Sequence, residues 1–370
     1  MKKRILSIAL ILSLVATTAW GWGGSSGQWG SIRDYLRKCA TSIVPASNGT
    51  YDLGSATKAW NTIYAATMDW TGGNVTYVPL TGDIETYVDN ATEGDTLVLS
   101  SGTYPTTDDI DIGKAINIVG QGIGHTTIAC ATDDKSIFDI VASDVRIANM
   151  TLSNTGDSGI RYVINLDENL SGIRLESLDI TRTTISSGAT AIWTDSSNTI
   201  IRDCVISSSS GGDKAYCISL YNSSTTTQDS VVSVYNTKIT AQGTGDDTRA
   251  INIYNFHNDN TLTMNIFNSH VIALTSGGVT DSAIEVGSAV TFNSKANIYG
   301  CTLDGSNYDI TNNATNVATL YDTTLVNDTT SGDITYAGAT TINRVAQGNI
   351  IYCPIDGDIE AYVASATAGD

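Results

Sequence analysis

Two short phrases recur along this 370-residue chain and keep step with each other. The first, in outline apolar-x-Ile-x-Asn-x-x-Ile, reads VRIANMTL, IRLESLDI, TIIRDCVI, VSVYNTKI, MNIFNSHV, ANIYGCTL and ATLYDTTL. Its anchors are Ile147, Leu175, Ile201, Val234, Ile266, Ile298 and Leu320, spaced by 28, 26, 33, 32, 32 and 22 residues. The second phrase, small-Ile-x-apolar, is anchored at Ile164, Ile192, Ile218, Ile251 and Ile284, each 17 residues after a first-phrase anchor, or 18 in the last case. Length variation is therefore confined to the connection from a second-phrase strand to the next first-phrase strand. Unrelated strands would scatter their insertions, whereas a stack of coils touching only their neighbours can hold them at one turn.

Two residues after each first-phrase anchor stands Asn149, Ser177, Asp203, Asn236, Asn268, Gly300 or Asp322. Asn, Asp and Gly tolerate the left-handed backbone that a sharp bend needs, so this series marks a corner of the coil. Gly73 begins a stretch in which Asp83 caps a short helix with Ile84, Tyr87, Val88 and Ala91 on one face, followed by Gly94-Asp95 and TLVLSSGTY. Helix, GDT, strand, GTY and a strand ending in Gly-x-Gly resemble the N-terminal cap and first coil of the pectin-lyase-like superfamily. The resemblance spans about residues 73–345 and implies an all-β, right-handed parallel β-helix with a short capping helix. It also implies that the second phrase forms the family's first sheet, which floors the substrate groove in members that are enzymes.

The opening phrase of that region returns. Residues 73–95 and 348–370 are identical at 14 of 23 positions, so 348–370 is expected to start a second unit. Before residue 73, Tyr51-Asp52-Leu53-Gly54-Ser55 with Trp60 and Ile63-Tyr64-Ala65 resembles a short module of phage tail fibres, which implies an elongated, often trimeric shaft over about 48–72. Residues 20–47 read as a spacer. Lys2, Lys3 and Arg4, the apolar run 5–15 and the small residues Ala16 to Ala19 read as an export signal over 1–19, too short for a membrane span. A secreted or cell-surface location is expected, with no membrane-spanning helix. Loss of the three leader charges leaves 16 basic against 38 acidic residues, a net of −22, which argues against nucleic acid as a partner. The six cysteines include no CxxC and the three histidines no zinc spacing, so no resident cofactor is expected beyond calcium held by carboxylates.

With the anchors inward, alternation turns Asn165, Trp193, Ser219, Asn252 and Glu285 outward, and two positions on Asp167, Asp195, Tyr221, Tyr254 and Gly287. Asp167 and Asp195 are then stacked neighbours beside Trp193, Tyr221 and Tyr254. Rings offer platforms to the apolar faces of sugars, and close carboxylates bind a cation or do acid–base chemistry. Asp167 and Asp195 are the catalytic candidates; Trp193, Tyr221, Tyr254, Asn165, Asn252 and Glu285 are the glycan-binding candidates. After the first-phrase anchors a second row carries Tyr235, Phe267, Tyr299 and Tyr321, a stripe suited to assembly or binding. Upstream in that row Glu176 and Arg202 are expected to form a surface ion pair of little weight. Arg146 and Arg174, one position before the anchors, are expected to be structural.

Several strings are set aside. Gly120-Gln121-Gly122-Ile123-Gly124 is followed by strand where a dinucleotide fingerprint requires helix. The Gly-His-Gly of polygalacturonases and the Trp-Ile-Asp-His of pectate lyases are missing, and Asp133-Asp134 and Asp246-Asp247 read as solvated loop acids. Cys204, Cys217 and Cys301 read as small inward fillers, with Cys204 and Cys301 too many coils apart to bridge. The leading expectation is a non-catalytic, glycan-binding, adhesin-like or structural repeat module with a polysaccharide or cell-surface glycan as partner, in an assembly that can be a homotrimer. The rival is a polysaccharide lyase or glycoside hydrolase acting on an extracellular acidic polysaccharide.

Overall fold

The computed structural model describes residues 68–342, apart from the short segments 71–72, 158–161, 196–197, 213, 223–228, 246, 256–259, 276–280, 289–292, 313–315, 328–329, 333 and 338–340. The expected leader (1–19), spacer (20–47), fibre-like module (48–72) except Met68–Trp70, and second copy of the opening phrase (348–370) lie outside the described residues. The protein is a parallel β-helix. Among the described residues nine strands, from Ile110–Ile112 to Thr330–Ser331, form one parallel sheet, here sheet I, which carries the second phrase. The first phrase forms sheet II, and the residues beyond the corner form sheet III. In Arg146–Asn154 and Arg174–Thr184 one strand runs through the corner and joins the two sheets.

Register follows the two ladders. In sheet I Ile164 pairs with Ile192, Ile192 with Ile218, Ile218 with Ile251 and Ile251 with Ile284. In sheet II Leu97, Ile118, Ile147, Leu175, Ile201, Val234, Ile266, Ile298 and Leu320 are partners in succession. All nine are at most 1% exposed. Adjacent parallel strands lie about 4.8 Å apart, so each row is a continuous apolar column. Burying each of these side chains contributes about 1.5–3 kcal/mol.

The corner has the geometry its residues suggest. Asn149, Ser177, Asp203, Asn236, Asn268, Gly300 and Asp322 all have positive φ, between 48° and 59°. The next residue turns inward, and there a polar side chain would be orphaned without local partners. Thr237, Ser269 and Thr323 solve this by donating their hydroxyls to the carbonyls of Tyr235, Phe267 and Tyr321, two residues back, at 2.8, 2.8 and 3.0 Å. Cys204 and Cys301 hold the same position, 2% exposed, with thiols against the Arg202 and Tyr299 carbonyls; burial raises both thiols to about 11. Cys130, Cys204, Cys217 and Cys301 are all free and buried.

The capping helix runs Ile84–Asn90, with Ile84 and Val88 buried and Tyr87 packed on the core. Asp83 holds the N-cap position in extended backbone, but its carboxylate accepts the Thr86 hydroxyl (2.9 Å) rather than a backbone N–H. Asp95 locks the cap from below: it accepts the Asn74 N–H (2.7 Å) and the N–H and hydroxyl of Thr92 (2.8 and 2.9 Å). Burial works against its charge, but these hydrogen bonds outweigh burial and hold its carboxyl below the ordinary value.

Candidate functional site on sheet I

Sheet I presents one outward row in unbroken register: Asp111, Asp139, Asn165, Trp193, Ser219, Asn252, Glu285, Thr311 and Ser331. Asn165 donates to Asp139 Oδ1 at 2.8 Å, and Asn252 donates to the Ser219 hydroxyl at 3.3 Å. The candidates Asn165 and Trp193 are half-buried, whereas Ser219, Asn252 and Glu285 are only 0%, 5% and 8% exposed. A side chain absent from the sequence reading covers that end. Arg249 Nη1 donates to Asn252 Oδ1 (3.0 Å), while its Nε lies 2.9 Å from Asp247 Oδ1 and 2.7 Å from Glu285 Oε2 in ionic contacts that are not aligned as hydrogen bonds. The Arg249 guanidinium sits 5.5 Å from the Tyr216 ring centroid, and the Tyr216 hydroxyl donates to Asp247. Burial, above all, drives the Tyr216 phenol far above its usual range. Asp247 is thus an ion-paired strand residue, correcting its reading as a solvated loop acid.

The ring candidates form a ladder, joined by Tyr162, which the sequence reading missed. Tyr162 and Trp193 stack at 5.2 Å, Trp193 and Tyr221 meet at 4.7 Å with a 34° tilt, and Tyr221 and Tyr254 stack at 5.9 Å. The rings turn faces largely to one another. A ligand lying along the sheet therefore meets ring edges, phenol hydroxyls and the tilted step at Trp193, rather than a row of open platforms.

Asp167 and Asp195 are separated by environment. Asp167 is exposed, with its carboxylate accepting the Glu168 N–H at 2.9 Å, whereas Asp195 is 3% exposed, not turned to water as alternation predicts. Asp195 instead lies close enough to Tyr221 to help burial and Tyr254 raise that phenol's pKa. Carboxyls with raised pKa occur elsewhere, at the N-terminal end of the same face. A cleft of about 740 Å³ is lined there by Asp83, Glu85, Tyr104, Asp108, Asp111 and Lys135, among others. The Glu85 carboxylate accepts the Asp111 N–H at 3.0 Å. Burial raises the Glu85 pKa, and burial with the neighbouring charges of Asp139, Asp109 and Asp108 raises that of Asp111. Among the described residues no group of three or more His, Cys, Asp or Glu is arranged to hold a metal ion.

On sheet II, Tyr235, Phe267, Tyr299 and Tyr321 stack at 4.7, 4.7 and 4.4 Å with planes within 7°, all half-buried. These parallel rings cover one another face to face and form a stacked column along the sheet. Above it Glu176 is 5% exposed and sits between Arg146 Nε (2.7 Å) and Arg202 Nη2 (2.9 Å). The expected surface pair is a three-group bridge around a buried carboxylate. Arg146 and Arg174 are register partners, as their spacing indicated.

Fold and face together define a parallel β-helix protein with a polar, ring-lined first sheet. No protein-family model and no curated protein matches the sequence. Among solved structures the chain is similar to the pectate lyase Pel9A, at 10% identity and TM-score 0.48, over 71% of this chain and 76% of that one. It is also similar to ORF18 of Geobacillus virus E2, at 13% identity and TM-score 0.43, over 75% of this chain and 63% of that one. A PL6 family alginate lyase, AlyGC, aligns at 10% identity and TM-score 0.43 over 71% of this chain and 40% of its own length. Among the described residues no helix is long and apolar enough to cross a membrane.

Proposed function

We propose that this chain is a secreted or cell-surface module that binds an extended glycan along sheet I without cleaving it. The observation that carries this reading is the accessible stretch of the outward row, Asp111, Asp139, Asn165 and Trp193, one residue per coil, leading into the Tyr162–Trp193–Tyr221–Tyr254 ladder. Carboxylate and amide groups about 4.8 Å apart on one line suit a polyhydroxylated chain, and convergent polar groups beside aromatic ones are the usual make-up of a ligand site. Arg249 is held by Asp247 and Glu285, which leaves it poorly placed to act on a substrate carboxylate.

A second reading, a polysaccharide lyase or glycoside hydrolase, is favoured by one observation. Asp111 and Glu85 have raised pKa values beside a cleft at the N-terminal end of this face, and a carboxyl pKa raised by burial and neighbouring charges is a common feature of general acids. One experiment separates the two. The chain is incubated with neutral and acidic polysaccharides, with and without calcium, and both bound polysaccharide and new reducing ends are measured. Binding without new ends supports the module. New ends that vanish in Asp111→Asn would replace it with the enzyme.

A further inference from the structure

The row and the ring ladder define a place for a glycan on sheet I, and the charges around them define its sign. Asp111 and Asp139 stand on neighbouring coils, and Asp167 is exposed on the next, two positions beyond Asn165. At the N-terminal end the cleft adds Asp83, Glu85, Asp108 and Asp109. Lys135 is the one cation among the residues lining that cleft, and it is tied to Asp108 and, at 3.1 Å, to Asp109. Beyond Trp193, Arg249 is held by Asp247 and Glu285. Burial is the larger cause of the raised pKa values of Glu85 and Asp111, and like charge adds to it. Asp111, Asp89 and Asp83 act on Glu85 in this way, and Asp139, Asp109 and Asp108 on Asp111.

An acidic polysaccharide laid along this stretch brings its own charges against these carboxylates, and like charges placed together oppose binding. Calcium bridging acid to acid would need about six to eight oxygens at about 2.3–2.6 Å from one point. Among the described residues no group of three or more side chains is arranged to hold a metal ion. An ammonium group makes a smaller demand. It carries three N–H donors and is satisfied by one or two carboxylates at about 2.7–2.9 Å. Brought among Asp111, Asp139 and Glu85, it also relieves their mutual repulsion, since an opposite charge favours the ionised carboxylate.

Resting on the glycan-binding reading above, we infer that the ligand is a basic glycan, a polymer bearing free amino sugars. Its ammonium groups meet Asp111, Asp139 and the carboxylates of the cleft, while its rings lie against the tilted step at Trp193. Calorimetric titration of the full chain with a soluble glucosamine oligomer tests this, with the amines free in one sample and acetylated in the other, and a uronate oligomer as third ligand. The free-amine form is expected to bind about tenfold or more tightly than the acetylated form, and the uronate most weakly. Asp111→Asn with Asp139→Asn reduces that preference to about twofold and leaves affinity for the acetylated form unchanged, whereas Trp193→Ala weakens both forms. Asp203→Asn with Asp322→Asn is the control. It removes two charges at the corner, where Asn holds the same positive φ, and is expected to keep the preference. Equal affinity for the two forms, or tighter binding of the uronate, overturns the inference and leaves the glycan reading standing. A preference lost equally in the corner variant shows unspecific attraction to an acidic chain and also overturns the inference. Binding of none of the three overturns both.

Discussion

Asn236 shows how single residues fix the coil. At φ +48° an L side chain other than Asn or Asp crowds its own backbone, at a cost of about 1–2 kcal/mol. Asn236→Ala is therefore expected to lose about 1 kcal/mol in urea unfolding, and Asn236→Gly to stay within about 0.5 kcal/mol of the parent. Glu176 acts differently, as a buried carboxylate that neutralises two arginines reaching water. Glu176→Gln leaves Arg146 and Arg202 facing each other and is expected to cost about 2 kcal/mol, less than for a fully enclosed pair. Asp111 sets a pH dependence. Its folded-state pKa is raised, so the folded protein binds a proton that the unfolded chain has released, and the contribution of Asp111 to stability falls as pH rises through that window. Asp111→Asn is expected to raise the melting temperature at pH 7, and the advantage should vanish below the ordinary value of 3.8. An advantage that persists in acid would show that charge is not the cause.

At the scale of strands, the anchors and the corner were readable because each leaves a periodic mark, an apolar residue in register and an Asn, Asp or Gly two positions on. The network around Arg249 was not readable, for a specific reason. The small-residue slot filled by Ala191, Cys217, Ala250 and Ala283 lets two successive residues point inward. Arg249 and Asn252, three apart, consequently emerge on the same side and bond to each other, against simple alternation. Asp111 and Asp139 escaped because their strands, Ile110–Ile112 and Phe138–Ile140, are three residues long and lack the small slot that marks the phrase. Yet Asp139 is the register partner of Asn165, so extending the ladder two coils upstream would have found both. The two aromatic rows looked equivalent in sequence and differ in structure: sheet II stacks its rings within 7° of parallel, whereas sheet I opens by 34° at Trp193. Phe267→Ala, which removes a ring between two others, is expected to cost about 2 kcal/mol. A double-mutant cycle of Phe267 with Tyr299 should show coupling of about 1 kcal/mol, and its absence would argue against a stabilising column.

Over the described residues, a stack of coils in register turns a one-dimensional repeat into a continuous face with one residue per coil. Stability comes mainly from the inward columns, so the accessible part of the sheet I row, from Asp111 to Trp193, is free to be polar and to vary. The proposed glycan-binding surface is this face and not the aromatic stripe of sheet II. The most direct measurement is affinity electrophoresis of the parent, Trp193→Ala and Phe267→Ala through gels containing neutral and acidic polysaccharides. Retardation of the parent by at least one polysaccharide, weakened about tenfold or more by Trp193→Ala and retained in Phe267→Ala, is the predicted result; a tenfold loss corresponds to about 1.4 kcal/mol. No retardation in any gel, or a loss caused by Phe267→Ala and not by Trp193→Ala, would contradict it.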